Sequence, residues 1–410
     1  MFFIYESILL IFIIFSPIFF LIRIVSGKED PKRFLEKLCL YPSSQKINKT
    51  IWFHGASIGE IISIIPIVKY LEKNKKIDKI LLTSSTTSSA SVIKKYKFKK
   101  TIHVFYPIDT NYLTNKFIRY WKPQIALFID SEIWPNMIKN LNKNKIPIIL
   151  LNGRITKKSF LRWKKFQNFS KEIFSKISLA MPQNDETMKY LKNLGVKKVK
   201  FAGNLKYFGQ SKKIIDKNTK KIFKNRLIFC AASTHYSEEL FIGKIHKELK
   251  LKYNNLITIL IPRHTNRSKS IANDLESLNL KIITRSSKKK ISKNTDIYLV
   301  DTYGETSKFY GLSNVTFVGG SLVPHGGQNP LEPARMGSYI MHGSNIQNFR
   351  EIYIMLSKLN ISSKINNIIN MKKIVTKKIK FRQPQSVIKK LNYIGNQILK
   401  KNINEINKFL

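Results

Sequence analysis

Residues 51–68 read IWFHGASIGEIISIIPIV, and this stretch decides the fold class. Its first four residues form a short, continuous apolar run, which predicts a buried strand of a parallel sheet. A turn with Gly55 and Gly59 follows, and the apolar spacing of Ile61, Ile64 and Val68 predicts a helix that begins at this turn. A strand that passes through a tight turn into a helix is the building unit of doubly wound α/β folds.

The same alternation of apolar runs and amphipathic stretches continues along the chain. Further strands are predicted at residues 80–83, 103–106, 125–129 and 146–151, and then at 227–231, 256–261, 297–300, 315–318 and 339–341. Between the two sets, residues 210–226 are rich in Lys, Asn and Asp and predict a linker. A length of 410 residues suits two domains, so we expect two α/β sheets in tandem. Ligands of such sheets bind beyond the carboxyl ends of the strands.

The composition excludes a disordered chain and suggests anionic partners. Hydrophobic residues make up 43% of the sequence, which is enough to build sizeable cores. The 73 Lys and Arg outnumber the 25 Asp and Glu, and the formal net charge is +48. Such a charge favours nucleic acid, phospholipid or phosphorylated substrates, but the lysines are scattered rather than clustered. Cys39 and Cys230 stand in no metal or redox spacing, so neither a zinc site nor a disulfide framework is indicated.

The N-terminal residues 1–25 read MFFIYESILLIFIIFSPIFFLIRIV and carry no charge from residue 7 to residue 22. This length is close to that of a membrane-spanning helix, and the acidic start without a small-residue cleavage site argues against a signal peptide. We expect an uncleaved, single-pass anchor. The basic residues that follow it place the rest of the chain on the cytoplasmic side. The alternative is a helix that lies in the membrane interface.

Glu60 follows the first strand and stands in the first turn of the predicted helix. The free backbone N–H groups at such a helix start can bind an anion, and Glu60 could be a general base for a substrate hydroxyl. The alternative interpretation is structural: Ser57 and Glu60 have the spacing of a capping box. The spacing alone favours the capping box.

Asp130 and Glu132 follow the strand predicted at residues 125–129. Two carboxylates at this spacing could bind a metal ion or share acid and base work. No His, Cys or third carboxylate stands beside them, and no D-x-D occurs anywhere, so we expect no metal dependence.

Three loops in the second half follow predicted strands and carry groups suited to a phosphate: residues 233–235 (STH), 262–264 (PRH) and 301–305 (DTYGE). A glycine-rich turn, GGQNPLE at residues 326–332, then leads into a helix. Asn329 has the place of an N-cap, Pro330 that of N1 and Glu332 that of N3. This helix start could receive a donor's phosphate while Glu332 accepts hydrogen bonds from a ribose, or it could simply be well capped.

Taken together, these strings resemble the bacterial Kdo transferases, which move 3-deoxy-D-manno-octulosonic acid (Kdo) from CMP-Kdo to the lipid A precursor. The resemblance extends from the N-terminal segment to about Glu351. It rests on HGASIGE (54–60), YPID (106–109), EIWPN (132–136), NGRIT (152–156), GNLK (203–206), ASTHYSEE (232–239), PRH (262–264), DTYGE (301–305), FVGGSLVPHGGQNPLEP (317–333) and NF (348–349). Ten strings in one order are specific even though no single one decides the matter.

The resemblance implies a GT-B fold, in which two Rossmann-like doubly wound domains face a cleft, preceded here by the membrane-anchor helix. It implies inverting, metal-independent transfer without a cofactor, at the cytoplasmic face of the inner membrane in lipopolysaccharide core biosynthesis. The implied partners are CMP-Kdo as donor, a lipid A precursor as acceptor and inner-membrane phospholipid, with no nucleic acid. The implied domains are the anchor at 1–25, an acceptor-binding domain at 26–209, the linker at 210–226, a CMP-sugar-binding domain at 227–385 and a C-terminal helix at 386–410 that braces the domains.

The family's functional positions fall on particular residues of this chain. Glu60 takes the position of the catalytic base, which outweighs the capping-box interpretation. Asp130 and Lys206 fall on positions assigned to transition-state stabilisation. The CMP-binding segments correspond to Pro262, Arg263, Tyr303, Gly304, Glu305, Asn329, Pro330, Leu331 and Glu332. Lys206 and Arg263 would bind the phosphate or the donor carboxylate.

Four positions depart from the family's usual pattern. Asp130 replaces a Glu, Gln328 a His, Ser89 a Gly and Ser237 a Gly. The shorter side chain of Asp130 makes its role less secure, and the others leave Glu60, Lys206 and Arg263 untouched. Two alternatives to a Kdo transferase are another GT-B enzyme that uses or epimerises a different nucleotide sugar, and a basic membrane-attached protein that binds nucleic acid or anionic lipid.

Overall fold

The computed structural model describes residues 1–41, 50–209 and 217–410, and the side chains of residues 217 and 218 are not described. The chain divides into two compact units. The first consists of Met1–Phe208 together with Gly395–Leu410, and the second of Gly209–Ile394. Each unit contains one parallel sheet with helices around it.

The sheet of the first unit has six parallel strands in the order β3-β2-β1-β4-β5-β6. Their bounds are β1 (Thr50–His54), β2 (Lys79–Ser84), β3 (Thr101–Phe105), β4 (Pro123–Ile129), β5 (Ile148–Gly153) and β6 (Leu179–Pro182). The first five correspond to predicted strands. The four-residue strand β6 was not predicted, because so short an apolar run carries little periodicity.

Helices cover both faces of this sheet. They are α1 (Phe2–Val25), α2 (Ile58–Leu71), α3 (Thr87–Lys94), α4 (Asn111–Trp121), α5 (Pro135–Lys143), α6 (Lys157–Lys165), α7 (Gln167–Phe174) and α8 (Asp185–Asn193). Successive side chains of a strand point to opposite faces, and the neighbours Trp52 and Phe53 of β1 accordingly belong to two different cores. Both faces of β1 are therefore buried, which explains why its sequence is continuously apolar.

The sheet of the second unit has seven parallel strands in the order β13-β12-β11-β7-β8-β10-β9. Their bounds are β7 (Leu227–Thr234), β8 (Leu256–Pro262), β9 (Ile282–Thr284), β10 (Ile297–Leu299), β11 (Val315–Val318), β12 (Tyr339–His342) and β13 (Ser362–Lys364). The three-residue strands β9 and β13 lie at the two edges of the sheet and were not predicted. Their side chains are mostly only partly buried, so these strands carry no continuous apolar run.

The helices of the second unit are α9 (Lys217–Ile222), α10 (Glu238–Lys250), α11 (Ser268–Glu276), α12 (Thr306–Tyr310), α13 (Leu331–Arg335), α14 (Arg350–Lys358) and α15 (Ile368–Lys378). The C-terminal part of the linker predicted at 210–226 belongs to this folded unit. Phe223 is buried and contacts the rings of Tyr298 and Phe309. The Arg226 guanidinium also donates to the carbonyls of Leu256 and Thr295 at 2.8 and 2.6 Å, so an aromatic and a charged side chain both hold this segment on the second unit. Residues 210–216 of the predicted linker lie outside the described residues.

The last helix, α16 (Gln385–Asn407), contains the division between the units, since the chain from Gly395 onward belongs to the first unit. Gly395 lies against the carbonyl oxygen of Tyr207 and leaves no room for a Cβ atom. Farther along, Ile403 and Ile406 are buried in the core that contains Phe53. The end of the chain therefore completes the core of the first unit.

Candidate active site

Glu60 lies at the start of α2, directly beyond the carboxyl end of β1. Ser57 is the N-cap of this helix, and its hydroxyl oxygen accepts a hydrogen bond from the Glu60 N–H at 3.4 Å. The Glu60 carboxylate reaches back, where Oε2 accepts from the Ala56 N–H at 2.7 Å and Oε1 from the Ser57 hydroxyl at 2.8 Å. The capping interaction is thus present, and it holds the carboxylate in one orientation at the strand end.

The Glu60 carboxyl group has an unusually high pKa. Burial raises the pKa to about 7, and the negative charges of Glu132 and Asp130 act in the same direction, against the hydrogen bonds from Ser57 and Ala56. A carboxyl group with this pKa is partly ionised at neutral pH and is a strong enough base to accept a proton from a hydroxyl. The site geometry therefore suits Glu60 to the role that the family resemblance implies.

Asp130 follows β4, the strand next to β1 in the sheet, and is held in an unfavourable backbone conformation. Its φ of +62° lies in the left-handed region, which a non-glycine residue rarely occupies. The Asp130 N–H donates to the carbonyl of Leu151 at 3.1 Å, and its own carbonyl accepts from the Arg154 N–H at 2.9 Å. Burial raises the pKa of the Asp130 carboxyl, while the charges of Lys206 and Arg154 oppose that shift. Such strain is typical of functional positions.

Lys206 comes from a distant part of the chain to lie beside Asp130. It belongs to a short 3₁₀ turn, Leu205–Tyr207, in which the side chain of Asn204 accepts from the Lys206 N–H at 2.9 Å. The Leu205 N–H donates to Asn152 Oδ1 at 2.8 Å, which ties this turn to the end of β5. The Lys206 Nζ consequently lies 3.7 Å from the Asp130 carboxylate. The structure thus brings together the three predicted catalytic residues of the first unit.

Glu132 is a further carboxylate of this site, which the sequence analysis considered beside Asp130 but did not include among the predicted catalytic residues. Its Oε2 accepts from the Trp134 indole N–H at 2.8 Å and lies 3.1 Å from Nε2 of His54. Burial alone would raise the Glu132 pKa, but the interactions with His54 and Trp134 outweigh it and lower the pKa below its usual value. Glu132 is therefore ionised at neutral pH, and its charge helps to keep the pKa of Glu60 high. Its position within the EIWPN string was the signal available in the sequence.

Replacing Ser57 by Ala separates the capping role of this turn from its effect on Glu60. Loss of the N-cap is expected to lower the free energy of unfolding by about 1 kcal/mol. Loss of the Ser57 hydrogen bond also raises the Glu60 pKa further, so the pH at which the reaction rate is half-maximal should move upward. The matched control is Asn367→Ala, which removes the N-cap of α15 and should lower stability without moving the pH profile. An unchanged pH profile in Ser57→Ala would contradict Glu60 as the base.

In the second unit, three histidines meet at the carboxyl ends of the strands. The ring of His235 stacks on that of His325 with 4.1 Å between centroids and contacts the edge of His264 at 5.7 Å. Burial and the neighbouring rings lower the pKa of His235 to about 4, so this ring is neutral at pH 7. The sequence placed His235 and His264 in separate loops and did not single out His325. The Arg263 N–H donates to the carbonyl of Thr234 at 2.9 Å, which joins two of these loops.

The DTYGE loop carries an ion-paired carboxylate. Glu305 lies 3.1 Å from Arg285 and 2.8 Å from Lys308, and the hydrogen bond from Arg285 is the main cause that holds its pKa well below the usual range. Tyr303 is 77% exposed, and Gly304 has a φ of +80°, a conformation that favours glycine. The predicted CMP-binding residues of this loop thus include the exposed ring of Tyr303 and an ionised Glu305 carboxylate whose charge is balanced by Arg285 and Lys308.

The GGQNPLE turn differs slightly from the prediction. Helix α13 begins at Leu331 with Pro330 as its N-cap, one residue later than expected. The Asn329 side chain nevertheless accepts from the Leu331 N–H at 3.0 Å, which is the bond that an N-cap makes. The difference lies within the usual uncertainty of helix ends. The Glu332 side chain is exposed in the first turn of this helix and is available to a ligand.

A buried carboxylate that the sequence did not identify holds the glycine-rich turn after β11. Glu238 Oε2 accepts from the N–H groups of Gly320 and His235 at 2.7 and 2.9 Å. Its Oε1 accepts from the N–H groups of Ser321 and Leu322 at 3.1 and 2.9 Å. One side chain of α10 therefore connects the loop after β7 to the loop after β11. Its signal was its place in the ASTHYSEE string.

Replacing Glu238 by Gln should destabilise the second unit. An amide nitrogen cannot accept a hydrogen bond, so two of the four backbone N–H groups would be left buried without an acceptor. We expect a loss of about 2–4 kcal/mol in the free energy of unfolding, measured by thermal or denaturant unfolding. The control is Glu248→Gln, because Glu248 is 46% exposed and pairs with Lys372 on the surface. A loss no larger than that of the control would show that the turn is held by other contacts.

Within residues 1–41, 50–209 and 217–410, no group of three or more His, Cys, Asp or Glu side chains is arranged to hold a metal ion. Positive side chains act on titratable groups of both units, among them Lys206 and Arg154 on Asp130 and Arg263 on His235. Metal independence of the reaction remains a prediction.

Two tandem parallel sheets with functional groups at the carboxyl ends of their strands define an α/β enzyme of the GT-B class. The fold is shared with UDP-GlcNAc 2-epimerase from Neisseria meningitidis, which has a TM-score of 0.57 and 14% sequence identity over 88% of this chain and 99% of that chain. This likeness establishes the fold class that the sequence predicted.

Sequence comparison establishes the family. The family model described as 3-deoxy-D-manno-octulosonic-acid transferase (kdotransferase) matches residues 32–208. The 3-deoxy-D-manno-octulosonic acid transferase of Haemophilus influenzae is 33% identical over 323 residues, which are 77% of this chain and 76% of that relative. The enzyme of the same name from Rickettsia bellii is 32% identical over 342 residues, or 82% and 81% of the two chains. The chain belongs to the Kdo transferase family and is a glycosyltransferase.

Family membership confirms the resemblance that the ten strings indicated. It supports a Kdo glycosyltransferase over the two alternatives, which were another GT-B enzyme that uses or epimerises a different nucleotide sugar and a basic membrane-attached protein that binds nucleic acid or anionic lipid. The roles of individual site residues are not decided by the comparisons and are taken up below.

Proposed function

We propose that the protein transfers Kdo from CMP-Kdo to a lipid A precursor in lipopolysaccharide core biosynthesis. The observation that carries this proposal is the group formed by Glu60, Asp130 and Lys206 in a member of the Kdo transferase family. Glu60 acts as the general base and removes the proton from the acceptor hydroxyl as that oxygen attacks the anomeric carbon of Kdo. Direct attack in a single displacement inverts the configuration at that carbon.

The transition state of this transfer carries charges that the side chains can balance. The ketose becomes cationic as the bond to the CMP phosphate breaks, and the carboxylate of Asp130 favours that cation. Lys206 and Arg263 are assigned to the departing phosphate or the donor carboxylate, because both side chains are cationic. Because cationic side chains and backbone N–H groups can balance the departing phosphate, the proposed mechanism needs neither a metal ion nor a cofactor.

The nucleotide is assigned to the second unit. Pro262, Arg263 and the 303–305 and 329–332 segments all follow strands of its sheet, where ligands of doubly wound folds bind. The exposed Tyr303 ring offers a face on which a base can stack, and the exposed Glu332 can accept hydrogen bonds from ribose hydroxyls.

The acceptor is a lipid, so the proposal places the enzyme at the inner membrane with both units on the cytoplasmic side. Helix α1 is 24 residues long, and by length and composition it could cross a membrane. Lys28 and Lys32 follow it and are exposed, which favours contact with anionic phospholipid.

The proposal is tested by transfer of labelled Kdo from CMP-Kdo to a lipid A precursor in detergent, with and without a chelator. We expect transfer that survives the chelator, and inverted configuration at the new linkage by nuclear magnetic resonance. UDP-N-acetylglucosamine serves as the control donor and should give no transfer. Absence of transfer from CMP-Kdo by a folded protein would overturn the proposed donor, and loss of transfer with chelator would overturn metal independence.

A further inference from the structure

Helix α1 is covered by the first unit along a single stripe that extends over its whole length. The side chains that are partly or fully covered recur every three or four residues, for example Phe2, Tyr5, Leu9, Ser16, Phe20 and Arg23. At 100° per residue these positions fall on one side of the helix. The rest of the circumference is exposed and apolar, with Phe3, Ile14 and Val25 at 84%, 72% and 82% exposure.

The covered stripe makes specific contacts near both ends of the helix. Near its start, the ring of Phe2 contacts that of Phe169 with 5.0 Å between centroids, and the Tyr5 hydroxyl donates to the buried Asp109 carboxylate at 2.8 Å. Near its end, Phe20 contacts Phe34 at 5.6 Å between centroids. Just beyond, Arg23 lies 3.1 Å from the carboxylate of Glu29, whose side chain has no exposed surface.

The polar side chains of α1 follow the same division. Tyr5, Glu6, Ser16 and Arg23 all lie on the covered stripe. Ser7 lies outside it, and its hydroxyl donates to the carbonyl of Phe3 at 2.9 Å, as serines in apolar surroundings do. Apart from Ser7, whose hydroxyl is bonded within the helix, the exposed side therefore offers apolar surface, while the side against the protein carries the other polar groups.

A helix held in this way cannot cross a bilayer without leaving the first unit. The elements beneath it carry charged side chains, including Lys139 of α5, which lies 4.4 Å from the centre of the Phe2 ring, and Lys171 of α7. These elements cannot follow the helix into hydrocarbon, since charged groups there are costly. Crossing would also separate Tyr5 from Asp109 and remove one hydrogen bond from a buried carboxylate.

We propose that α1 stays on the first unit and lies in the plane of the membrane, with its exposed apolar side buried in one leaflet of an anionic phospholipid bilayer. We infer lipid as the occupant of this surface because exposed lysines lie at both ends of the apolar helix, where they can contact anionic headgroups while the apolar side chains contact acyl chains. Lys139 lies at the Phe2 end, and Lys28 and Lys32 follow the Val25 end. This distribution complements anionic headgroups along the whole helix. The proposal replaces the single-pass anchor that the sequence predicts, and it does not depend on the proposed reaction.

The depth of individual positions in the bilayer tests this proposal. Single cysteines at Phe3, Ile11, Ile18 and Val25, all on the exposed side, would carry a spin label after replacement of the two buried native cysteines by Ala. The protein would be bound to vesicles of phosphatidylethanolamine and phosphatidylglycerol, and depth would be read from collisions with oxygen and with a water-soluble nickel chelate. Leu251→Cys, at a position that is 80% exposed in the second unit, serves as the label that stays in water.

We expect all four labels on α1 to lie at similar, shallow depths, within about 10 Å of the headgroups. A crossing helix would instead place the labels at Phe3 and Val25 about 33 Å apart along the membrane normal, with Ile11 near the centre, and would overturn the proposal. If the labels were shielded from both reagents and the protein eluted as a dimer in size-exclusion chromatography, a second copy of the chain would cover this surface and the proposal would be overturned. Labels that remain in water would overturn it as well. Circular dichroism of each variant verifies that it is folded.

Discussion

Glu60→Gln is expected to lower the turnover number for Kdo transfer by about 10²- to 10⁴-fold, because the amide cannot accept the proton of the acceptor hydroxyl. The substitution preserves size and removes an ionisation that burial opposes, so the free energy of unfolding should not fall substantially. Binding of CMP to the second unit, measured by calorimetry, should remain unchanged.

The pH dependence of the transfer rate tests the role of Glu60 independently. The base works only when it is ionised, and burial raises its pKa to about 7, so the wild-type rate should rise with pH and reach a plateau above that value. Glu172→Gln is the matched control, because Glu172 is half exposed on α7 and forms only a loose pair with Lys176 at 3.8 Å. Full activity in Glu60→Gln would remove Glu60 from the mechanism and leave it the capping role alone.

Lys206→Ala is expected to lower the turnover number by about 10²- to 10³-fold, the range seen when one group that stabilises developing charge is removed. Loss of this cation also removes the larger of the two charges that lower the pKa of the buried Asp130 carboxyl, so Asp130 should become protonated at higher pH than in the wild type. The turnover number and the KM for CMP-Kdo are measured separately, since an effect on KM alone would indicate ground-state binding only.

The chain offers a close control for this substitution. Lys200 also belongs to the first unit and pairs with a carboxylate, Glu405 at 2.9 Å, but it is 42% exposed and lies outside the group around Glu60. Lys200→Ala should therefore leave the transfer rate unchanged. If both variants lost activity equally, the effect would reflect general loss of positive charge rather than a role of Lys206 at the reacting atoms.

Most of the fold could be predicted from the sequence because the strands are buried on both faces. Continuous apolar runs such as residues 51–54 and 125–129 are required wherever helices cover both sides of a parallel sheet. Strands β6, β9 and β13 escaped prediction because three or four residues carry too little pattern. The lysine-rich segment around Phe223 and Arg226 was instead predicted as a linker, but these two side chains pack and hydrogen-bond on the second unit.

The candidate site was predictable only in part. The turn from β1 into α2 placed Glu60 at a strand end, because local spacing and capping are properties of neighbouring residues. The pairing of Lys206 with Asp130, and of His54 with Glu132, joins residues that are about 75 positions apart and left no mark in local pattern. The roles of these residues remain predictions that the transfer measurements decide.

The amino-acid sequence by itself determined the two tandem α/β sheets and the position of Glu60 at a helix start, because periodicity, turns and caps act between residues that are close in the chain. It indicated the family through the resemblance of ten strings in one order. Only the tertiary structure decided which charges surround Glu60 and raise its pKa, how Glu238 joins two loops, and which side of α1 the protein covers. These features depend on burial and on contacts between distant segments. Both arise only when the sheets are packed, since a carboxylate or an apolar helix has no fixed environment in the unfolded chain.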